Sequence, residues 1–412
     1  MSHIDDLIAE HCPDGVEHKF LGEVGEFIRG NGLQKKDLFD EGVPAIHYGQ
    51  IHTRYGVWTD QTVSFTSAEI ASKLRHARYG DLLIATTSED DEAVAKSTAW
   101  LGRSEVVLSG DAYIYRHSLD PRYVAYFFQS EHFQGQKQRH VSGTKVRRIS
   151  GASLSKILIP VPPLEVQRAI VEVLDTFSKL EAELEAELEG RRLQYRHYRD
   201  LLFDFHEASK VPYLALNAVG SFTRGRRFTK NDIVESGIPS IHYGEIYTSY
   251  GVAASEALRE LRSEMRPQLR FAQQNDVIFA GVGETVEDVG KAVAWLGNVP
   301  VAVHDDTFFF TSALNPLYVA HFAQTTSFND QKAAHVARGK VKRLSASGLG
   351  AIQIPVPSVG EQNRIVAILN KFDALVNDLS VGLPSELAAR RQQYEYYRDK
   401  LLTFKELSQE SA

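Results

Sequence analysis

The chain carries the same sequence pattern twice, and this duplication constrains its fold more than any other feature. When the sequence is shifted by 195 residues, its first half aligns with its second without a gap for about 150 positions. Ile46–Gly49 then falls on Ile241–Gly244, and Ile159–Pro162 falls on Ile354–Pro357. Solenoid units repeat every 20–50 residues or so, which means that each repeat here is a domain with an appended segment. A duplicated domain indicates a duplicated binding role.

Length and composition set broad limits on the class of protein. The 412 residues are enough for two or three domains, and 43% apolar with 24% charged residues is an ordinary globular composition. The single cysteine, Cys12, excludes an internal disulfide framework and fits a reducing compartment. The acidic N-terminus does not resemble a signal peptide, and no long apolar run occurs, so we expect a cytoplasmic protein. The net charge of −7 argues only weakly against a nucleic-acid partner.

Positive charge is concentrated in windows without acidic residues, and these windows recur in both repeats. No Asp or Glu lies between Glu131 and Glu165, or between Asp330 and Glu361. Repeated cations without intervening carboxylates are suited to a polyanion, although a solvated basic face is the alternative. The predicted phosphate-contacting residues are Arg29, Lys35, Lys36, Lys137, Arg139, Lys145, Arg147, Arg148, Arg224, Arg226, Arg227, Lys230, Arg338, Lys340, Lys342 and Arg343.

Local patterns predict a compact mixed α/β domain in each repeat, at 1–158 and 209–353. Short apolar runs broken by Gly- and Asp-containing turns predict strands, and a Pro near the start of an apolar run predicts a helix. The predicted strands of the first repeat are Val43–Tyr48, Asp81–Ala85, Ala99–Leu101 and Ala112–Tyr115, with a helix from Pro121. Their counterparts are Ile238–Tyr243, Asp276–Ala280, Ala294–Leu296 and Thr307–Phe310, with a helix from Pro316.

The appended segments, 159–208 and 354–412, have the period of a coiled coil. Apolar residues from Val166 to Leu184 alternate in steps of four and three, and two Glu-Ala-Glu-Leu units follow at 181–188. Each predicted helix has about 40–48 residues, or about 60–70 Å, which is the length of a spacer. Gly382 and Pro384 predict a kink or a break in the second helix.

Sequence motifs for catalysis or metal binding are not completed anywhere in the chain. Gly281–Gly283 does not continue into a phosphate-binding loop, and the histidines form no His-Glu-x-x-His pair. His47 and His242 recur at equivalent positions, where a structural and a functional imidazole remain equally open. We therefore predict no catalytic residue and no metal site.

Residues at the start of both appended segments resemble a known family. Residues 159–171 read Ile-Pro-Val-Pro-Pro-Leu-Glu-Val-Gln-Arg-Ala-Ile-Val, and 354–366 read Ile-Pro-Val-Pro-Ser-Val-Gly-Glu-Gln-Asn-Arg-Ile-Val. Each segment then leads to Arg-Arg-x-x-Tyr-x-x-Tyr-Arg-Asp. Together with the duplication, this pattern resembles the specificity subunits of type I restriction-modification enzymes over essentially the whole chain.

The resemblance implies an α+β fold with two similar target-recognition domains, separated by two long helices packed as an antiparallel coiled coil. It implies a non-catalytic subunit that reads a bipartite target in double-stranded DNA and docks two methylation subunits. Those subunits would bind S-adenosylmethionine, and a restriction subunit could join them. The alternatives are a Type IIB or IIG-like system, a methylation-only system, or, in a different class, a coiled-coil adaptor.

Base readout is predicted in the loop that follows the Ile-His-Tyr-Gly strand, where the two repeats diverge, and near the polar loop before Lys96 or Lys291. Gln and Arg suit adenine and guanine edges, whereas Glu accepts from cytosine. Ordinary loop divergence is the alternative. The predicted readout residues are Tyr48, Gln50, His52, Thr53, Arg54, Tyr243, Glu245, Tyr247, Thr248 and Ser249.

Overall fold

The computed structural model describes residues 2–205, 210–337, 339–377 and 382–407. The chain divides into two compact units. Unit 1 consists of Met1–Glu183 and Ala388–Ala412, and unit 2 consists of Leu184–Leu387. Each unit therefore contains one mixed α/β domain together with residues from both appended segments.

The first half of the chain forms an α/β domain followed by one long helix. Its strands are β1 (His18–Phe20), β2 (Gly25–Arg29), β3 (Val43–Ile46), β4 (Trp58–Thr59), β5 (Phe65–Thr66), β6 (His76–Ala77), β7 (Leu82–Ala85), β8 (Thr87–Ser88), β9 (Ser97–Trp100), β10 (Val106–Leu108), β11 (Ala112–His117), β12 (Arg147–Arg148) and β13 (Leu158–Pro160). Its helices are α1 (Ser2–His11), α2 (Leu21–Val24), α3 (Tyr48–Thr53), α4 (Ala68–Ala71), α5 (Pro121–Phe127), α6 (Glu131–Gln138), α7 (Gly151–Leu154) and α8 (Leu164–Phe203), with a 3-10 helix at Lys35–Asp37.

The second half repeats most of this order, with an additional strand (β16), a 3-10 helix in place of α4, and two helices in place of α8. Its strands are β14 (Tyr213–Ala215), β15 (Gly220–Arg224), β16 (Ile233–Val234), β17 (Ile238–Ile241), β18 (Ala253–Ala254), β19 (Arg259–Leu261), β20 (Phe271–Ala272), β21 (Val277–Ala280), β22 (Val282–Gly283), β23 (Ala292–Trp295), β24 (Val301–Val303), β25 (Thr307–Ser312), β26 (Lys342–Arg343) and β27 (Gln353–Pro355). Its helices are α9 (Leu216–Val219), α10 (Tyr243–Thr248), α11 (Pro316–Phe322), α12 (Thr326–Ala333), α13 (Ala346–Ala351), α14 (Val359–Asn377) and α15 (Leu383–Leu401), with 3-10 helices at Lys230–Asp232 and Ser263–Gln268.

The main sheets of the two domains have the same topology. The order is β2-β11-β7-β9-β4 in the first domain and β15-β25-β21-β23-β18 in the second. In each sheet the short edge strand β4 or β18 runs parallel to its neighbour, while the other pairs are antiparallel. This agreement confirms the predicted mixed fold and its duplication.

The central strand of each main sheet is buried on both faces, because side chains alternate between two apolar cores. Leu82 and Ile84 pack into the core beneath α5 and α8, whereas Leu83 and Ala85 face a second core that contains Trp100. Unit 2 repeats the alternation along β21. Trp100 and its counterpart are therefore core residues, as their apolar neighbours in sequence predict.

A buried glutamine joins each α/β domain to the helix that follows it. Gln167 accepts a hydrogen bond from the Asp120 backbone N–H at 2.9 Å and donates one to the Pro162 carbonyl at 2.7 Å. Gln362 makes the equivalent bonds, at 2.9 and 3.0 Å, to Asn315 and Pro357. The motif that carries the family resemblance thus builds the joint between domain and helix.

The appended segments form long helices, and each unit packs a pair of them. In unit 1, Phe177 of α8 stacks on Tyr397 of α15 with ring centroids 5.5 Å apart, and Arg391 forms an ion pair with Glu181 at 2.6 Å. The order of these contacts makes the pair antiparallel. In unit 2, Tyr198 of α8 stacks on Phe372 of α14 at 5.6 Å.

The predicted interruption of the second helix is confirmed at Gly382. This glycine has a φ of +133°, outside the helical region, and it lies between α14 and α15. Residues 378–381 are outside the described part of the chain.

The glutamine joint predicts a measurable loss of stability in Gln167→Leu. The change leaves the buried Asp120 N–H and the Pro162 carbonyl without partners, and we expect a loss of about 2–4 kcal/mol in the free energy of unfolding. Gln138→Leu, on an exposed position of α6, is the control and should change stability by less than about 0.5 kcal/mol. Urea unfolding followed by circular dichroism measures both, and equal stability of the two variants would contradict the assignment.

Candidate nucleic-acid interface

The strand predicted through Tyr48 ends two residues earlier, because His47 starts a short helix. The His47 Nδ1 accepts a hydrogen bond from the Gly49 N–H at 3.3 Å, and the Gln50 side chain accepts one from the His47 N–H at 2.9 Å. These reciprocal bonds form a capping box. We call α3 and its counterpart α10 the reading helices, since they carry most of the predicted readout residues.

The same capping arrangement starts α10 in unit 2. His242 accepts from the Gly244 N–H at 3.2 Å, and Glu245 accepts from the His242 N–H at 2.9 Å. These contacts favour a structural role for His47 and His242 over a functional one. Burial lowers the pKa of His47, and it lowers that of His242 to about 4, so both imidazoles are neutral near pH 7.

Glu245 is not available for base readout, and its predicted role is wrong, whereas Gln50 is half-buried and its role in readout stays a prediction. The Gln50 side chain also donates to the Ser64 hydroxyl at 3.0 Å. Glu245 is buried and forms an ion pair with Arg259 at 2.7 Å. Burial is the largest cause of the raised pKa of Glu245. The polar groups of both side chains serve the start of the helix, and sequence divergence alone could not separate that role from readout.

The other predicted readout residues of unit 1 lie along one groove. Tyr48 and His52 are half-buried, whereas Thr53 and Arg54 are exposed at the end of α3. The His52 Nε2 lies 3.0 Å from the Thr87 carbonyl, and the Thr53 hydroxyl donates to the Gly49 carbonyl. The groove has a volume of about 840 Å³ and is also lined by Lys35, Glu89 and Val146. Arg54 is the side chain of this set that best combines position and exposure, since the Thr53 hydroxyl is hydrogen-bonded within the helix.

In unit 2, the predicted readout residues carry less positive charge than those of unit 1. Thr248 and Ser249 are exposed, and Ser249 occupies the position equivalent to Arg54. Tyr247 is half-buried beneath Lys291, whose Nζ lies 5.8 Å from the ring centroid. Tyr243 packs against His242 with ring centroids 4.3 Å apart. The two reading helices thus share their starts and differ at their exposed ends.

A basic hairpin, residues 142–148, borders the groove of unit 1. Gly143 adopts a φ of +99°, and β12 pairs with β8, which places Val146 beside the reading helix. Lys145 and Arg148 are exposed on the hairpin, while Arg147 forms an ion pair with Asp91 at 2.9 Å. Lys145 and Arg148 therefore present the free positive charge of this hairpin.

The remaining basic residues of unit 1 fall into two groups. Arg29, Lys35, Lys36 and Arg139 are exposed, as a phosphate contact requires. Arg29 and Tyr48 line a second groove of about 420 Å³, next to the first. Lys137 is only 1% exposed, and its Nζ donates to the Glu92 and Val94 carbonyls. The prediction that Lys137 contacts phosphate is therefore wrong.

Unit 2 also has a basic surface, but acidic residues lie beside some of its arginines. Arg224 donates to the Asp305 carbonyl at 2.6 Å, and Arg343 lies 3.4 Å from Asp306. Arg224, Asp306 and Arg343 line a cavity of about 290 Å³. Lys342 is half-buried and donates to the Gly339 carbonyl, and Arg338 lies outside the described residues. The exposed residues are Arg224, Arg226, Arg227, Lys230, Lys340 and Arg343.

One group in unit 2 has the composition of a metal site. The ligand atoms of His304, Asp305 and Asp306 lie within 4.8 Å of one another. The His304 Nδ1 accepts from the Asp306 N–H at 3.1 Å, and its Nε2 lies 3.2 Å from the Phe228 carbonyl. Both ring nitrogens are thereby used in local hydrogen bonds, and we assign the histidine a structural role.

Comparison with known proteins decides the family. The family model described as "Type I restriction modification DNA specificity domain" matches residues 13–190 and 270–389. The specificity subunit of the Escherichia coli enzymes EcoR124I and EcoR124II is 30% identical, over 98% of this chain and 97% of that protein. The chain is a type I specificity subunit. Members of this family are non-catalytic, so the chain is a recognition subunit and not an enzyme.

Other relatives of this specificity subunit agree with the assignment. The EcoprrI specificity subunit of E. coli is 28% identical over 55% of this chain and 54% of that protein. A solved chain from a study of complex assembly and conformational transition in the type I system covers 95% of this chain and 98% of that one. Its TM-score is 0.63 and its identity 16%, so it supports the fold. The S subunit from M. genitalium gives a TM-score of 0.51 at 14% identity, covering 94% of this chain and 96% of that one.

Among the described residues of this specificity subunit, no helix combines the length and apolar character that crossing a membrane requires.

The buried Glu245 predicts a pH-dependent stability difference between this subunit and Glu245→Gln. Because the pKa of Glu245 is raised in the folded state, the native protein loses stability as pH rises through that value. Glutamine keeps the capping geometry, as Gln50 does in unit 1, and does not ionise. The stability of the variant relative to the native protein should therefore increase between about pH 4 and pH 8. Urea unfolding across this range measures the difference, and a difference that falls with pH would refute the role of burial.

Proposed function

We propose that each unit of this specificity subunit reads one half of a bipartite target in double-stranded DNA. The observation that carries the proposal is the recurrence, in both units, of a reading helix close to exposed basic side chains. Such an arrangement combines sequence-independent phosphate contacts with side chains that reach base edges. Membership in the type I specificity family supports DNA as the ligand.

Within each unit, the exposed cations contact phosphate and the end of the reading helix contacts bases. Lys145, Arg148 and Arg29 are the principal phosphate contacts of unit 1. Arg54 is exposed at the end of α3, and an arginine there suits a bidentate contact with guanine, the commonest specific pairing. Ser249 replaces it in unit 2, so the two half-sites differ in sequence. This division assigns affinity and specificity to different residues.

The helices α8, α14 and α15 dock two methylation subunits, which bind S-adenosylmethionine and methylate adenine within the target. Exposed apolar side chains on these helices, among them Leu193, Leu201 and Tyr396, support a protein-binding surface. A restriction subunit joins the assembly in a complete type I system. A methylation-only or Type IIB/IIG-like assembly would use the same surfaces. An adaptor function without DNA does not account for the duplicated basic residues.

Charge reversal in the basic hairpin tests the phosphate contacts. We expect Lys145→Glu with Arg148→Glu, assembled with the methylation subunits, to weaken binding to target and unrelated DNA alike. Loss of two phosphate contacts should reduce the salt slope of binding by about 2. Mobility-shift titrations at several salt concentrations measure both quantities.

Arg103→Glu, at an exposed position of the loop after β9 that lines neither groove, is the control for the change of charge. Normal binding of unrelated DNA by the hairpin variant, combined with an altered preferred sequence, would show that the hairpin reads bases instead.

An insertion in α8 tests whether the helix sets the gap between half-sites. One further Glu-Ala-Glu-Leu unit after Leu188 extends the helix by about 6 Å and adds a net rotation of about 40°. One base pair of B-DNA advances about 3.4 Å and turns about 35°, so the rotations nearly match. We expect both half-sites to be kept and the spacer to lengthen by one base pair, with the extra translation absorbed by tilt or DNA distortion.

A three-residue insertion at the same place is the matched control. It leaves the helix about 60° short of a full turn and should abolish specific binding. Methylome sequencing of the two strains gives the spacer length directly. An unchanged spacer in the four-residue variant would contradict the role of the helix.

A further inference from the structure

Two lysines with almost no exposed surface occupy equivalent positions in the duplication. Lys137 on α6 and Lys332 on α12 are each 1% exposed. Burial lowers the pKa of each lysine to about 8 despite the acidic residues nearby. Burying an ammonium group costs free energy, whereas an apolar side chain would fill the same space without that cost. Both units nevertheless contain the lysine, which indicates a use for its hydrogen bonds.

The hydrogen bonds of both lysines go to the backbone of one loop. We call residues 89–95 and 284–290 the polar loops. The Lys137 Nζ donates to the Glu92 carbonyl at 2.9 Å and to the Val94 carbonyl at 3.0 Å. The Lys332 Nζ donates to the Glu287 carbonyl, the equivalent of Glu92, at 3.1 Å. Each lysine therefore holds the path of the polar loop, whatever side chains the loop carries.

The polar loop of unit 1 connects the two parts of the proposed DNA surface. Lys96, next to the loop, donates to the His52 carbonyl on the reading helix at 2.9 Å. Asp91 within the loop forms the ion pair with Arg147 of the basic hairpin. Ala95 ends the loop with a φ of 67°, a conformation that the surrounding contacts must maintain. A shift of this loop would move both the reading helix and the hairpin.

The helices that carry the lysines are anchored at their other ends. The Glu131 N–H at the start of α6 donates to Asp399 of α15 at 2.9 Å. The Thr326 N–H at the start of α12 donates to Asp200 of α8 at 3.0 Å. Asp399 and Asp200 are the last residues of the Tyr-Arg-Asp motif. Each eight-residue helix thus runs from a long helix of an appended segment, α15 or α8, to a polar loop.

We propose that Lys137 and Lys332 are positioning residues for sequence recognition, each holding the polar loop that supports the DNA surface of its own unit. The proposal rests on the proposed function and adds residues that touch no DNA. It follows that each lysine affects the half-site of its own unit alone. A lysine that merely stabilised the core would lower methylation of every duplex in proportion to the loss of folded protein and leave discrimination unchanged.

The duplication supplies the control for this test. Lys137→Met and Lys332→Met keep the length of the side chain and remove the donor. Each variant is assembled with the methylation subunits and assayed for methylation of three duplexes. The duplexes carry the native target, a target with the first half-site substituted, and a target with the second half-site substituted.

We expect Lys137→Met to lose at least about tenfold in discrimination at the half-site read by unit 1, the effect of losing a charge-assisted hydrogen bond. Discrimination at the other half-site should stay at the native level. Lys332→Met should show the reverse pattern. Lys137→Arg retains donors and should recover part of the discrimination that Lys137→Met loses.

Retained discrimination at one half-site shows that the variant molecules are folded and assembled. Native discrimination at both half-sites in the methionine variants would overturn the proposal, as would an equal loss at both. A native protein that recognises no two-part target would instead overturn the proposed function.

Discussion

The joint made by Gln167 and Gln362 is the constraint on which the rest of the structure depends. Each side-chain amide forms two hydrogen bonds with the backbone, one with the N–H just before a domain helix and one with the proline carbonyl before a long helix. Both glutamines are nearly fully buried. A buried amide that satisfies two backbone groups fixes geometry more firmly than apolar contact alone. The joint thereby fixes each α/β domain relative to the helix that follows it. The proposed function requires this, because the helix is to set the position of the DNA-binding surface.

Sequence patterns predicted the secondary-structure elements that depend mainly on neighbouring residues in the chain. The Pro-initiated helices at Pro121 and Pro316, the buried central strands and the break at Gly382 follow from backbone chemistry and periodicity. The duplication then predicted two similar domains with appended helical segments, because each pattern in one half could be checked in the other. The strand predicted through Tyr48 was wrong, since the capping role of His47 depends on a side chain folding back onto its own backbone.

Exposure separates the predicted interface residues into those that can reach DNA and those that cannot. Lys145, Arg148 and Arg54 are exposed, whereas Lys137 is buried, although all four are basic residues in the sequence. Whether a lysine is buried depends here on contacts with a loop more than forty residues earlier in the chain. Composition gives no information about such contacts. Glu245 was misassigned because capping and readout favour the same residue types.

The central claim is that each unit reads its own half-site through the end of its reading helix. Exchange of residues 50–58 with 245–253 tests it most directly, because both segments start from the same cap and differ at Arg54 and Ser249. A chain that carries residues 245–253 in place of 50–58 should, by methylome sequencing, change one half-site of the methylated motif and keep the other half-site and the spacer. An unchanged motif would contradict the account.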